Sequence, residues 1–298
     1  MTGNPDPRVL LVPVIDVNWL TFAPFDPGRD FRVDPPKIEQ SIGETRTLVD
    51  LMNSLTDGRY VLTPHSGIYC REAFYEGEFV DIYRTGVAKG AEIAIHLHEE
   101  IKGVGVRFGE PEHVTEMFDL CRHKLEAAGL PFTSYRGGHY AYASFMNRLL
   151  ETNGVHIDLS CSPRLNEPTR EAIWVNAGFS GHYLADDPRA EARHGAKLSA
   201  VFEIPMGSDG EGTGYSNILH IEQSELENLQ RIWRAILKRG EASGRAQIVH
   251  CLFHTASTGN PAYIERLKGF LDHARANGGE LVRPTEAKTL FDSGKDAV

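Results

Sequence analysis

Short, continuous apolar runs alternate along the chain with longer stretches whose apolar positions recur at helical spacing. The first run, residues 9–15, is rich in β-branched residues and reads as a strand buried on both faces. After Pro35 and Pro36, the positions Ile38, Ile42, Val49 and Met52 fall on one helical face. Residues 60–63 predict a second strand, and residues 92–98, preceded by Gly90, a third. Pro111 opens a helix with Val114, Met117, Phe118, Cys121 and Leu125 inward, and Gly129 stops it just before Pro131. A strand at 132–136, a helix at 141–152 closed by Asn153-Gly154, and a strand at 155–160 follow. Residues 163–197 read as loop, with a short strand at 173–175. Strands at 198–204 and 217–221 come next, and then Ser224-x-x-Glu227, a capping box for a helix reaching Lys238. The chain finishes with a core strand at 248–253, a helix at 261–276, a strand at 280–282 and a helix at 285–291. Repeated strand–helix units without an internal repeat or linker favour a parallel sheet or β/α barrel, with residues 1–298 as one domain.

Composition narrows the class. A net charge of -10 argues against a nucleic-acid surface, which needs Lys and Arg to replace counterions along phosphates. No apolar run is long enough for a membrane span. The opening MTGNPDPR lacks the features of a secretory signal, so a cytoplasmic location is expected. Cys70, Cys121, Cys161 and Cys251 are widely spaced, form no C-x-x-C pair, and read as reduced, mostly buried thiols.

In a barrel, chemistry collects where strands end, and here several strands end in ionisable residues. The first ends VPVIDVN (Asp16, Asn18), the second VLTPHSG (His65), the third EIAIHLHEE (His96, His98, Glu100). The fourth ends FTSYRGGHY (Arg136, His139, Tyr140) and the late strand IVHCLFHTAS (His254). Alternation puts Asp16 with Asn18, and His96 with His98, on one strand face. Two imidazoles so placed suit a borderline metal such as zinc. His113, His123, His156, His182, His194, His220, His250 and His273 join no cluster in the sequence.

The order of these segments resembles the polysaccharide deacetylase superfamily (NodB homology, carbohydrate esterase family four and relatives), over roughly residues 9–291. VIDVN is similar to that family's opening D-x-D strand, EIAIHLHEE to its E-I-G-x-H segment, YRGGHYAYASFMNRLLETNGVHIDLSCSP to its arginine segment with the following helix and D-x-S strand, and CLFHTAS to its last catalytic strand. The resemblance implies a distorted (β/α) barrel of the polysaccharide deacetylase type. It implies a hydrolase of a C–N amide bond, acting on an N-acylated sugar or small metabolite. Asp16 would be the base, Arg136 its partner and His254 the acid. A divalent metal, zinc foremost, would be held by Asn18, His96 and Glu100, with His98 an alternative ligand beside Asp16. His65, His139 and Tyr140 would contact substrate. The family set of one Asp and two His is altered here, which leaves two other readings open. One is a metal-independent hydrolase of a cyclic amide, imide or ureide in which His96 and His98 hold the carbonyl. The other is a non-catalytic carbohydrate-binding relative. The expected partner is a small-molecule or sugar substrate, and a homo-oligomer is left open.

Overall fold

The computed structural model describes residues 8–18, 35–67, 71–101, 105–187 and 198–294. Nine strands form one curled sheet. Their order is His182–Ala185, Leu198–Glu203, Ile157–Asp158, Ser134–Gly137, Glu92–Leu97, Val61–Pro64, Val9–Val17 and Gln247–His254, with Gly279–Leu281 also pairing with Val9–Val17. All pairings are parallel except that between His182–Ala185 and Leu198–Glu203. The two ends of the sheet meet: Met206, just past Leu198–Glu203, bridges His250, with Gly207 N–H donating to the His250 carbonyl at 2.8 Å. This is the distorted (β/α) barrel that the resemblance implies.

Val9–Val17 is paired on both edges and buried along its whole length, which explains its near-continuous apolar sequence. One of its edges is taken by Gln247–His254 along residues 9–16, the other by Gly279–Leu281 at residues 9–11 and by Val61–Pro64 at residues 14–17. Pro13 falls in the gap between those two short partners. Leu11 and Val17 turn their carbonyls toward that second edge, so Pro13 faces it too, and its missing N–H breaks no ladder bond.

The helices cover the sheet. In Pro111–Ala127 the predicted Val114, Met117, Phe118, Cys121 and Leu125 are all buried. Leu226–Ser243 buries Leu229, Ile232, Trp233, Ile236 and Gly240 and ends at left-handed Gly244. Cys121, Cys161 and Cys251 are buried, and Cys70 lies outside the described residues. Among the described residues, no helix is long and apolar enough to cross a membrane.

Several local expectations change. The capping box does not form: the helix starts at Leu226, and Ser224 Oγ instead donates to the Tyr215 carbonyl at 3.1 Å. Residues 217–221 are not a regular strand. They run from a 3-10 turn at Tyr215–Asn217 through isolated bridges (Ile218 to Ser208, His220 to Leu252) into a second 3-10 turn at Ile221–Gln223. The helix expected from 141 begins at Met146, because residues 141–145 carry the chain away from the fourth strand exit. Helix Gly77–Ala88 and strand His182–Ala185 were not expected.

Candidate functional site

Parallel register lines up the strand exits. Asp16 is paired with Thr63 on one side and His254 on the other, and in the next row His96 is paired with Arg136 and bridged to His65. Asp16 is almost fully buried. Its Oδ1 accepts from Arg136 Nε at 2.8 Å and from Thr63 Oγ1 at 2.5 Å, and lies 3.8 Å from His96 Nδ1. Its Oδ2 lies 3.5 Å from His254 Nε2. Burial alone would raise the Asp16 carboxyl, but Arg136, His96, His254 and the Thr63 hydroxyl outweigh it and hold it well below the usual carboxylate range. Arg136 is fixed from beneath by donating through Nη1 to the Leu159 carbonyl at 2.9 Å.

His254 is oriented by Glu222. Its Nδ1 bonds Glu222 Oε1, and its backbone N–H donates to the same oxygen at 3.1 Å, which turns Nε2 toward Asp16. Burial opposes a charge on His254, yet Glu222, through charge and hydrogen bond, and then Asp16 raise its pKa above the ordinary 6.5. Glu222 is itself brought down to about 2 against the effect of burial, by His254 and by His220. His220 Nδ1 lies 3.4 Å from Glu222 Oε2, and its ring stacks on His254 with centroids 5.2 Å apart. Thr63, His220 and Glu222 are the site residues that sequence reasoning passed over. No strand-exit signal marks them: Glu222 lies in a 3-10 turn and Thr63 inside an apolar strand.

On the other side of Asp16 stand four histidines with lowered pKa values. His65 stacks on His98 with centroids 4.2 Å apart, His98 meets His139 at 4.5 Å, and His96 lies 5.4 Å from His65. Burial is the main cause in all four, taking His96 and His139 to about 4. The turn that brings His139 and Tyr140 here is strained. Both are left-handed, with φ of 52° and 62°, a conformation that costs a non-glycine residue roughly 1–2 kcal/mol. The preceding glycines are required: a Cβ on Gly137 would strike the Ala141 carbonyl, and one on Gly138 the His98 ring. The Tyr140 ring lies under the Arg136 guanidinium, 5.7 Å from centroid to Cζ.

The donor atoms decide what can hold a metal. His96 Nδ1 faces the Thr63 carbonyl at 3.2 Å, which puts the ring proton on Nδ1. Its Nε2 is buried, has no hydrogen-bond partner and carries the lone pair, as a neutral imidazole ligand requires. Asn18 fits less well, because its side-chain oxygen accepts from Ala256 N–H at 3.4 Å while Thr255 Oγ1 holds its backbone. The Glu100 side chain lies outside the described residues. Among the described residues, the group of His, Glu, Asp or Cys with metal-ligand spacing is His220, Glu222 and His254, whose ligand atoms lie within 4.8 Å of one another. It contains none of the four residues expected as ligands. Its atoms are already joined by the bonds that orient His254.

Beneath the site, Asp158 and Glu203 are register partners and fully buried. Asp158 Oδ1 accepts from Ser160 Oγ at 2.6 Å, and Glu203 Oε1 from Cys161 N–H at 3.1 Å. The remaining oxygens have no hydrogen-bond partner among the described residues, and burial raises both carboxyls. His113 and His250, which joined no cluster in the sequence, bond Glu99 at 2.7 Å and the Ile204 carbonyl at 2.7 Å.

No protein-family model and no curated protein matches the chain by sequence. Solved structures match its fold. PuuE allantoinase aligns with a TM-score of 0.61 at 14% identity, over 98% of this chain and 92% of that one. A Pseudomonas aeruginosa PAO1 protein assigned as a polysaccharide deacetylase aligns with 0.61 at 15%, over 96% and 92%. A Mycobacterium smegmatis protein with the same assignment aligns with 0.60 at 14%, over 97% and 92%. The chain therefore has the fold of these deacetylase and allantoinase structures.

Proposed function

We propose that the protein hydrolyses a C–N amide bond in a small or sugar-like substrate, with Asp16 as base and His254 as acid. The observation that carries this reading is the Asp16–His254 pair, 3.5 Å apart, whose pKa values are pushed in opposite directions by separate buried partners, Arg136 and Glu222. A water beside Asp16 loses its proton to the carboxylate as it attacks the amide carbon. Protonated His254 then delivers its Nε2 proton to the departing amine, and acid and amine leave. Neutral imidazoles at His65 and His139, with Tyr140, line the side where the acyl group would lie. They offer hydrogen bonds without adding charge beside the developing oxyanion.

Asp16 is held so far down that it is a weak base for ordinary water. A divalent ion held at His96, with Asn18 and Glu100 completing its ligands, would supply the missing activation by acidifying the water and polarising the carbonyl. The competing reading is a metal-independent hydrolase of a cyclic imide or ureide. It is favoured by the hydrogen bond that Asn18 already makes and by the engaged state of the His220–Glu222–His254 group. A screen of N-acetyl sugars, imides and ureides before and after exhaustive chelation separates the two. Activity lost to chelator and restored by zinc supports the ion at His96, full activity after chelation supports the second reading, and hydrolysis of no amide removes both.

A further inference from the structure

Glu222 and His254 share a hydrogen bond, and beside it two buried atoms are left over. His220 Nδ1 and Glu222 Oε2 have no hydrogen-bond partner among the described residues, although their side chains are only 6% and 4% exposed. They lie 3.4 Å apart. That separation is long for a hydrogen bond between a ring nitrogen and a carboxylate. It matches the edge of a tetrahedron around zinc, about 3.3 Å when the bonds are about 2.0 Å. The third atom is His254 Nδ1, which bonds the other Glu222 oxygen and so lies on the same side of its ring. One donor atom from each of the three residues falls within 4.8 Å of the others. Burial lowers the His220 pKa, outweighing the pull of Glu222, so the ring is neutral, as a ligand must be. The group shares no residue with Asn18, His96, His98 and Glu100, and His254 and His96 flank Asp16 from opposite sides.

Two imidazoles and one carboxylate are a set that zinc accepts, with a fourth position left for water. A buried ring nitrogen and carboxylate oxygen without hydrogen bonds are costly unless something fills the space between them. An ion can reach them, since the His254 side chain is 21% exposed. We propose that His220, Glu222 and His254 form a zinc site whose filling inhibits the enzyme. The ion displaces the proton on His254 Nδ1, which leaves to solvent, and bonds to the freed lone pair. His254 then keeps one ring proton, on Nε2, and is no longer the imidazolium that protonates the departing amine. His220 is the residue that makes the site. The Glu222–His254 hydrogen bond forms without it, yet it gives the ion its third bond. The inhibition rests on the proposed role of His254 as acid; the binding of zinc does not. Whether or not the reaction depends on an ion at His96, zinc at this second site opposes it.

His96→Ala takes the other ion out of the measurement. Zinc binding to this variant is followed by equilibrium dialysis with metal analysis, alone and combined with His220→Ala or Glu222→Gln. One zinc per chain is expected on His96→Ala. Either second change should weaken it at least about tenfold, no less than the loss of a mere supporting residue costs a metal site. Two second changes are used so that a misfolded one leaves the other to decide. Cobalt in place of zinc reports the geometry: His96→Ala should give the visible spectrum of a tetrahedral ion, and adding His220→Ala should abolish it. No zinc on His96→Ala, or equal binding with and without the second change, overturns the site and leaves an adventitious ion only. Inhibition is read on the active wild type. Added zinc should lower turnover reversibly, and His220→Ala should need at least about tenfold more zinc for the same fractional loss. Equal sensitivity in the two proteins overturns the inhibition. If the wild type hydrolyses no amide while the dialysis result holds, the reaction reading fails and the zinc site stands.

Discussion

Asp16 and His254 are register partners on adjacent parallel strands, and His254 Nε2 lies 3.5 Å from Asp16 Oδ2. Each leans on a different buried group, Asp16 on Arg136 and His254 on Glu222. Two titratable groups in contact whose surroundings push their pKa values apart are set up as an acid and a base.

Asp16→Asn is expected to abolish turnover and to lower stability. The amide keeps the shape of the carboxylate but leaves the Arg136 guanidinium buried without its counter-charge, a loss of about 3–5 kcal/mol. Thermal unfolding should show a lowered Tm with an unchanged circular dichroism spectrum in the folded range. Near-normal turnover removes Asp16 as the base.

His254→Ala should lower turnover roughly 10²–10⁴-fold, the range for losing a general acid or base. The loss should shrink as the amine becomes a better leaving group, since less protonation is then needed. Equal losses across a series of leaving groups count against the acid role.

Glu222→Gln should move the alkaline limb of the pH–rate profile to lower pH. Glu222 is the main group that raises His254, so without its charge the imidazole gives up its proton earlier. Stability follows the same pair. The raised His254 contributes fully below its ordinary 6.5 and loses its contribution as pH rises through its folded value. The depressed Glu222 contributes above 4.5 and loses its contribution as pH falls toward about 2. Titration of the His254 ring by NMR in both proteins checks the shift, and an unmoved titration refutes the assigned role of Glu222.

Much of this arrangement was legible in the sequence because strands place residues by simple rules. The strand exits in VIDVN, EIAIHLHEE and CLFHTAS were enough to send Asp16, His96, His98 and His254 to one end of a barrel, and alternation put His96 with His98 on one face. The inward face of Pro111–Ala127 followed from its spacing in the same way. Glu222 was missed because it sits in a 3-10 turn rather than a strand, where neither periodicity nor an exit rule applies. Its partner His254 is 32 residues away in sequence, so only the closed barrel brings them together. Thr63 was missed because a hydroxyl inside an apolar strand looks like filler until register sets it beside a carboxylate. The strained His139–Tyr140 turn was located but its geometry was not, since left-handed φ at a non-glycine residue has no local sequence signal.

Asp158→Asn should make the protein more resistant to alkaline conditions. Burial raises both carboxyls of the Asp158–Glu203 pair above their ordinary values, so between the ordinary and the raised values the folded state binds more protons than the unfolded one and stability falls as pH rises. An uncharged amide at one position removes that dependence and can still donate to the remaining carboxylate. Urea unfolding at pH 6 and pH 9 measures it: the variant should lose less stability over that interval than the wild type, and an equal loss would contradict the raised carboxyls.

The central claim, hydrolysis of an amide through Asp16 and His254, is tested most directly in oxygen-18 water. An N-acyl amine or cyclic amide found active in a substrate screen is incubated with the wild type, Asp16→Asn and His254→Ala, and the acid and amine are followed by mass spectrometry. The account predicts equal amounts of amine and acid from the wild type, one oxygen-18 in each new carboxylate, no product from Asp16→Asn, and slow product from His254→Ala that recovers with a better leaving group. Undiminished, singly labelled product from Asp16→Asn, or product from the wild type without label, would contradict it.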